Sequence, residues 1–179
     1  AVTWDTYFFE VLPLKAKQIV GMANGSDYGR LAEMCKARKD SECVEHMLIS
    51  KVQAEPNNIE NLAELGQVQF LRDNYKASAT TLKKYFAEGG LNMDASYTYA
   101  RALGHVGMID ESAQFYKRVL DAKPDTLQIS VTQNFVRMLM EAGRADQAKL
   151  VIESIRVKGS NAGMFMETEM QQIKQTSIR

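Results

Sequence analysis

From about residue 14 to residue 176 apolar side chains recur at helical spacing, in segments of ten to fifteen residues separated by short turns. Strand-like alternation is nearly absent, so the pattern predicts an all-α fold. The breaks sit at Asn57-Asn58, Asp73-Asn74, Gly89-Gly90, Gly107, Pro124-Asp125, Gly143 and Gly159. They are too closely spaced for long bundle helices, which implies helical hairpins. One segment, NLAELGQVQFLRDNY at 61–75, keeps Leu62, Leu65, Val68 and Leu71 in helical register yet carries Gly66 in mid-span. Glycine there costs roughly 1 kcal/mol relative to alanine. A glycine retained at that position marks where two helices press together.

Pro56 and Pro124 stand 68 residues apart, twice 34, and the sequence repeats at that period. Residues 59–92 supply Leu62, Leu65-Gly66, Gln69, Ser78 and Leu82, and residues 93–126 supply Ser96, Tyr99-Ala100, Leu103, Ser112, Tyr116 and Pro124. Residues 25–58 supply Tyr28, Leu31-Ala32, Cys35, Val44, Leu48 and Pro56. After a two-residue insertion near Leu127-Gln128, residues 127–162 supply Thr132, Phe135-Val136, Leu139, Gly143, Ala148 and Ile152.

This pattern resembles the tetratricopeptide repeat, a 34-residue helix-turn-helix unit with W-x2-L-G-x2-Y, then A-x3-F, then P. It departs from that family in lacking the tryptophan, in carrying Gly89-Gly90 for the proline of 59–92, and in placing Val44 and Val136 where small residues are the rule. The resemblance implies a right-handed superhelical array of antiparallel helix pairs. Small residues would sit where helix axes approach, and Leu82 and Tyr116 would fill the grooves around them. Such an array needs covered ends. Residues 1–24, an aromatic segment with a capping helix, and residues 163–179, a capping helix bearing Met164, Phe165, Met170 and Ile173, are expected to supply them.

Twenty-two basic and twenty-two acidic residues cancel, which leaves no global field to draw in nucleic acid or an anionic membrane. No run approaches the roughly eighteen apolar residues that span a bilayer. The chain opens at Ala1 without methionine, as expected if a signal peptide or anchor were removed upstream, or at a simple truncation point. Any membrane association is expected only through a segment upstream of Ala1. Trp4, Tyr7, Phe8 and Phe9 suit a membrane border, but packing onto the first repeat is the favoured reading. Asp5 and Glu10 precede Lys15 and Lys17, a charge order that favours an extracytoplasmic over a cytoplasmic body.

Cys35 and Cys43 lie eight residues apart across a turn. They either form a disulfide between antiparallel helices or remain two small buried thiols. With only His46 and His105 to join them they match no familiar zinc pattern.

The sequence contains no nucleophile elbow, no phosphate-cradling glycine loop and no H-E-x-x-H. The reading is a non-enzyme that needs no cofactor and no metal. In the family it resembles, the first helix of each unit lines a concave groove. Carried over by position, that surface takes Gly29, Arg30, Glu33 and Lys36, then Ala63, Glu64, Gln67 and Phe70, and Thr98 among the next set. The partner-binding candidates are Phe70, Tyr97, Arg101, His105, Gln133, Asn134, Arg137 and Met140. Rigid aromatics beside forked donors suit an extended peptide or its acidic groups. Ordinary solvated helix surface is the competing reading.

Some relatives capture chaperone tails with a lysine and an asparagine. Gly29 and Glu33, Ala63 and Gln67, and Tyr97 and Arg101 replace those residues here, which argues against that ligand. Two functions are then expected. The first is an adaptor holding a protein or peptide partner in the groove, with a membrane-associated assembly as one setting. The second is a self-assembling structural protein, a homo-oligomer stacked through its ends.

Overall fold

The computed structural model describes residues 7–122 and 128–157, together with Gln171 and Gln175. Among the described residues every regular element is helical, as the periodicity predicts. Trp4, Pro124, Gly159 and the proposed capping helix at 163–179 lie outside them, the two glutamines apart.

A π-helical turn, Tyr7–Val11, leads into α1 (Leu12–Ile19), followed by α2 (Gly25–Ala37), α3 (Ser41–Ala54), α4 (Glu60–Leu71) and α5 (Tyr75–Ala87). Then come α6 (Met93–His105), α7 (Ile109–Ala122), α8 (Gln128–Glu141) and α9 (Ala145–Val157). The chain divides into two compact units, Ala1–Leu91 and Asn92–Arg179. In the first, α2 pairs with α3 and α4 with α5; in the second, α6 pairs with α7 and α8 with α9.

Helix starts follow from local chemistry. Asn24 accepts the Asp27 amide while Asp27 accepts the Asn24 amide, a reciprocal capping box at α2. Asp40 accepts the Cys43 amide to cap α3, and Asn92 accepts the Asp94 and Ala95 amides to cap α6.

Each hairpin then turns on one left-handed residue, namely Lys39 (φ 58°), Asp73 (φ 60°), Gly107 (φ 82°) or Gly143 (φ 72°). The next amide, of Asp40, Asn74, Met108 or Arg144, donates back to the carbonyl of Cys35, Gln69, Leu103 or Leu139. This closes the orphan carbonyls of the first helix and reverses the chain.

Packing within a hairpin is set by close approach. A Cβ built on Gly66 would fall 2.5 Å from Leu82 Cγ, and Leu82 is 0% exposed, with nowhere to retreat. Beside this contact Ser78 Oγ donates to the Gly66 carbonyl at 2.7 Å. The same bond recurs 34 residues on, where Ser112 Oγ donates to the Ala100 carbonyl at 2.7 Å. Both serines are fully buried, so each hydroxyl depends on that carbonyl for its partner. Leu48, Tyr116 and Ile152 fill the places equivalent to Leu82 and are themselves buried.

The first hairpin is tied differently. Cys35 and Cys43 are joined as a disulfide with Cα atoms 5.7 Å apart, and Arg38 Nη2 lies 3.8 Å and 3.7 Å from the two sulfurs. In the same unit Arg72 donates to the buried Glu45, and Glu64 on α4 bridges Lys36 on α2 (2.9 Å) and Lys51 on α3 (3.4 Å). Burial pushes the Glu64 carboxyl up, but the two ammonium groups outweigh it and hold the group below the usual carboxylate range.

Two outcomes test this packing. Gly66→Ala should lower the unfolding free energy in urea by about 1–3 kcal/mol, although alanine is the better helix former by roughly 1 kcal/mol. Combined with Leu82→Ala, the loss should fall short of the sum of the single losses by at least about 0.5 kcal/mol. Strict additivity would mean that the two positions do not touch.

The second outcome concerns pH. Because the folded-state pKa of Glu64 is lowered, its stabilisation is complete above about pH 4.3 and is lost as pH falls through the folded value. The stability gap between wild type and Glu64→Gln, under about 1 kcal/mol for this part-exposed group, should therefore close on acidification and persist from neutral to mildly alkaline pH, where Lys36, its own pKa raised by Glu33 and Glu64, stays charged.

Candidate partner-binding site

The second unit gathers several of the expected groove residues around one pocket. Along α6, Tyr97, Arg101 and His105 are spaced four residues apart and so share a face. Asn134, Arg137 and Glu141, spaced three and four residues apart, share a face along α8, and Tyr116 reaches between them from α7. Arg101, His105, Tyr116, Asn134, Arg137 and Glu141 line a pocket of about 410 Å³, with Gly104 and Met138 also on its wall. A Cβ on Gly104 would fall 2.9 Å from Met138 Cγ, so the glycine is what lets α8 sit this close to α6.

The aromatic rings are fixed by one another. Tyr116 stacks on Phe135 with centroids 4.8 Å apart and planes 8° from parallel, while Tyr97 meets Tyr116 edge-on at 6.1 Å. Asn134 Nδ2 donates to the Tyr97 hydroxyl at 2.5 Å, and the Arg101 guanidinium carbon lies 5.5 Å from the Tyr97 ring centroid. Tyr97 therefore positions both an amide and a cation at the pocket rim.

Burial drives the Tyr116 hydroxyl far above the ordinary phenol range, with Tyr97 and Glu141 pushing the same way and Arg101 and Arg137 against it. It is a neutral hydroxyl at any working pH. Arg137 is exposed and forms no hydrogen bond or ion pair with another described residue. The wall thus carries the guanidinium groups of Arg101 and Arg137 and the carboxylate of Glu141.

The other expected residues fall elsewhere. Gln133 is half-buried on α8 and does not line the pocket, and Met140 packs against the hydrophobic core of the second unit. Phe70 belongs to the first unit and is only 6% exposed, its ring 5.2 Å from Tyr75 across the α4–α5 turn. Ala63 is buried as well. These two positions are corrected from groove surface to packing, because α4 is enclosed on most of its circumference, from Leu62 and Leu65 round to Gln69 and Phe70.

Tyr116 and Glu141 were not among the expected site residues. The sequence does hold a signal for Tyr116. A tyrosine stands where the preceding hairpins use Leu48 and Leu82, and a polar end on a filling side chain marks a place where the core opens to a pocket.

This is the tetratricopeptide-repeat fold. Solved structures similar to the chain include MamA of AMB-1, with 17% identity over 80% of this chain and 77% of that one at a TM-score of 0.67. A second is YrrB, described as a tetratricopeptide-repeat protein with an unusual peptide-binding site, with 14% identity, 80% and 74% coverage and a TM-score of 0.66. A third, a tetratricopeptide-repeat protein from Parabacteroides merdae, has 14% identity, 83% and 60% coverage and a TM-score of 0.64. No protein-family model and no curated protein matches the sequence.

The Tyr97–Asn134 bond has a measurable consequence. Tyr97→Phe should cost about 0.5–1.5 kcal/mol of stability, and Asn134→Ala should cost measurably less in the Tyr97→Phe background than in wild type. Equal costs in the two backgrounds would show that the pair is uncoupled.

Proposed function

We propose that this protein is a non-catalytic interaction scaffold that holds a peptide segment or helix of a partner, through an acidic side chain, against the α6–α8 face of its second unit. One observation carries the reading: the exposed Arg137 stands beside Arg101, Asn134 and the Tyr116 hydroxyl on the wall of a preformed pocket. A guanidinium with no acceptor among the described residues can offer its donors to a carboxylate without first breaking a bond. The rings that position Tyr97 and Tyr116 are already packed, so little side-chain order remains to be imposed on binding. The peptide-binding site described for YrrB, which shares the fold, supports a peptide as the occupant.

His105, Glu141 and the Tyr116 hydroxyl are the pocket groups capable of proton transfer, and among the described residues no serine, threonine, cysteine or lysine nucleophile lines the wall beside them. Binding is what this set of side chains can do. A membrane-associated assembly remains the setting that the aromatic N-terminal sequence suggests.

Arrays of short peptides with and without Asp and Glu test the proposal. Wild type should retain acidic peptides, and Arg101→Glu with Arg137→Glu should weaken them at least about tenfold, or 1.4 kcal/mol. Raised salt should weaken them in wild type too. Equal retention of neutral peptides, or unchanged binding in the double variant, would move the binding site elsewhere.

A further inference from the structure

The N-terminal helix presents an apolar face that its own unit leaves uncovered. Val11 and Leu14 turn inward and are buried, which anchors α1 to the first unit. On the opposite side Phe9 is 80% exposed and Ile19 84%, and Leu12, Val20 and Met22 are exposed with them. Along α1, at 100° per residue, Leu12, Ala16 and Ile19 fall in one stripe about 60° wide, with Phe9 exposed in the π-helical turn before it and Val20 and Met22 exposed beyond its end. Within it there is no polar side chain. Lys15 stands on one edge. Lys17 Nζ lies 3.2 Å from Asp27, and about half of its side chain remains exposed.

We infer that this face is a membrane-docking surface that lies flat in the headgroup region of an anionic bilayer. The occupant follows from the chemistry of the stripe. A specific protein interface needs hydrogen-bonding groups and shape to set its register, and a narrow stripe of Leu, Ala and Ile flanked by Phe9, Val20 and Met22 supplies neither. A bilayer requires no register. It rewards apolar area immersed beside basic charge, and Lys15 would meet lipid phosphates as the stripe meets acyl chains. No helix among the described residues is long and apolar enough to cross the membrane, so the contact is interfacial. The docking face and the α6–α8 pocket lie in different units, and neither inference rests on the other.

The test uses the whole chain and vesicles of phosphatidylcholine, alone and mixed with phosphatidylglycerol. Wild type should sediment with the mixed vesicles and more weakly with phosphatidylcholine alone, and Lys15→Glu should remove that difference. Phe9→Asp with Ile19→Asp should lower the vesicle partition coefficient at least about tenfold, with an unchanged thermal melt because both side chains are exposed. Leu150→Asp, at an exposed leucine on α9, serves as the control and should bind like wild type. The inference is overturned if wild type stays with the supernatant, or if the double variant binds as well. It is equally overturned if light scattering without lipid shows wild-type mass growing with concentration and the double variant abolishing that growth, which would assign the stripe to a second copy of the chain.

Discussion

The contact on which the α4–α5 hairpin depends is the approach of two helices so close that one side chain must be missing. At Gly66 the space that a methyl group would take is occupied by Leu82, and the serine twelve residues further on closes the gap with a bond to the Gly66 carbonyl. Dispersion falls steeply with separation, so a fraction of an ångström gained here is felt along the whole helix pair. The Ser112–Ala100 bond repeats the device in the second unit, with alanine small enough to serve. Where the serine is absent, at Val44, the hairpin carries a disulfide at its turn instead. The common requirement is a fixed distance between two helices, met by different chemistry.

That distance also builds the pocket. Once α6 and α7 are set, Tyr116 fills the groove as Leu82 does in the preceding hairpin, but its ring ends in a hydroxyl. Stacking on Phe135 holds the ring, and its edge contact with Tyr97 passes the constraint to Asn134 and Arg101. A surface of side chains that would each be mobile on an isolated helix thereby acquires order before any ligand arrives. A ligand held there as proposed would not first have to freeze those rotamers.

Much of this was legible in the residues themselves. Periodicity predicted helices throughout, the 34-residue recurrence of Gly66 with Ala100 and of Ser78 with Ser112 marked the close approaches, and Leu82 and Tyr116 were identifiable as fillers. Helical spacing of three or four residues put Arg101 with His105 on one face of α6 and Asn134 with Arg137 on one face of α8. Phe70 was not legible in this way. Its place in the helix is equivalent to that of residues on an open face, yet it is buried and its ring packs against Tyr75 across the turn, a contact that depends on how the chain reverses. Glu141 escaped for the complementary reason, since an exposed glutamate at a helix end looks like any solvated carboxylate until a pocket forms beside it.

The sequence by itself determined the helices, their lengths, their turns and the positions where they touch. Each of these depends on residues near one another along the chain or on a period that repeats along it. Lys39 and Asp73 in the left-handed turns, with the capping bonds around them, are local in this sense. Only the tertiary structure decided which of the similar-looking surface residues share a pocket, which are enclosed, and which face of α1 stays uncovered. Exposure depends on what stands opposite a side chain, and the residues that stand opposite come from other helices. No pattern within a single helix records them.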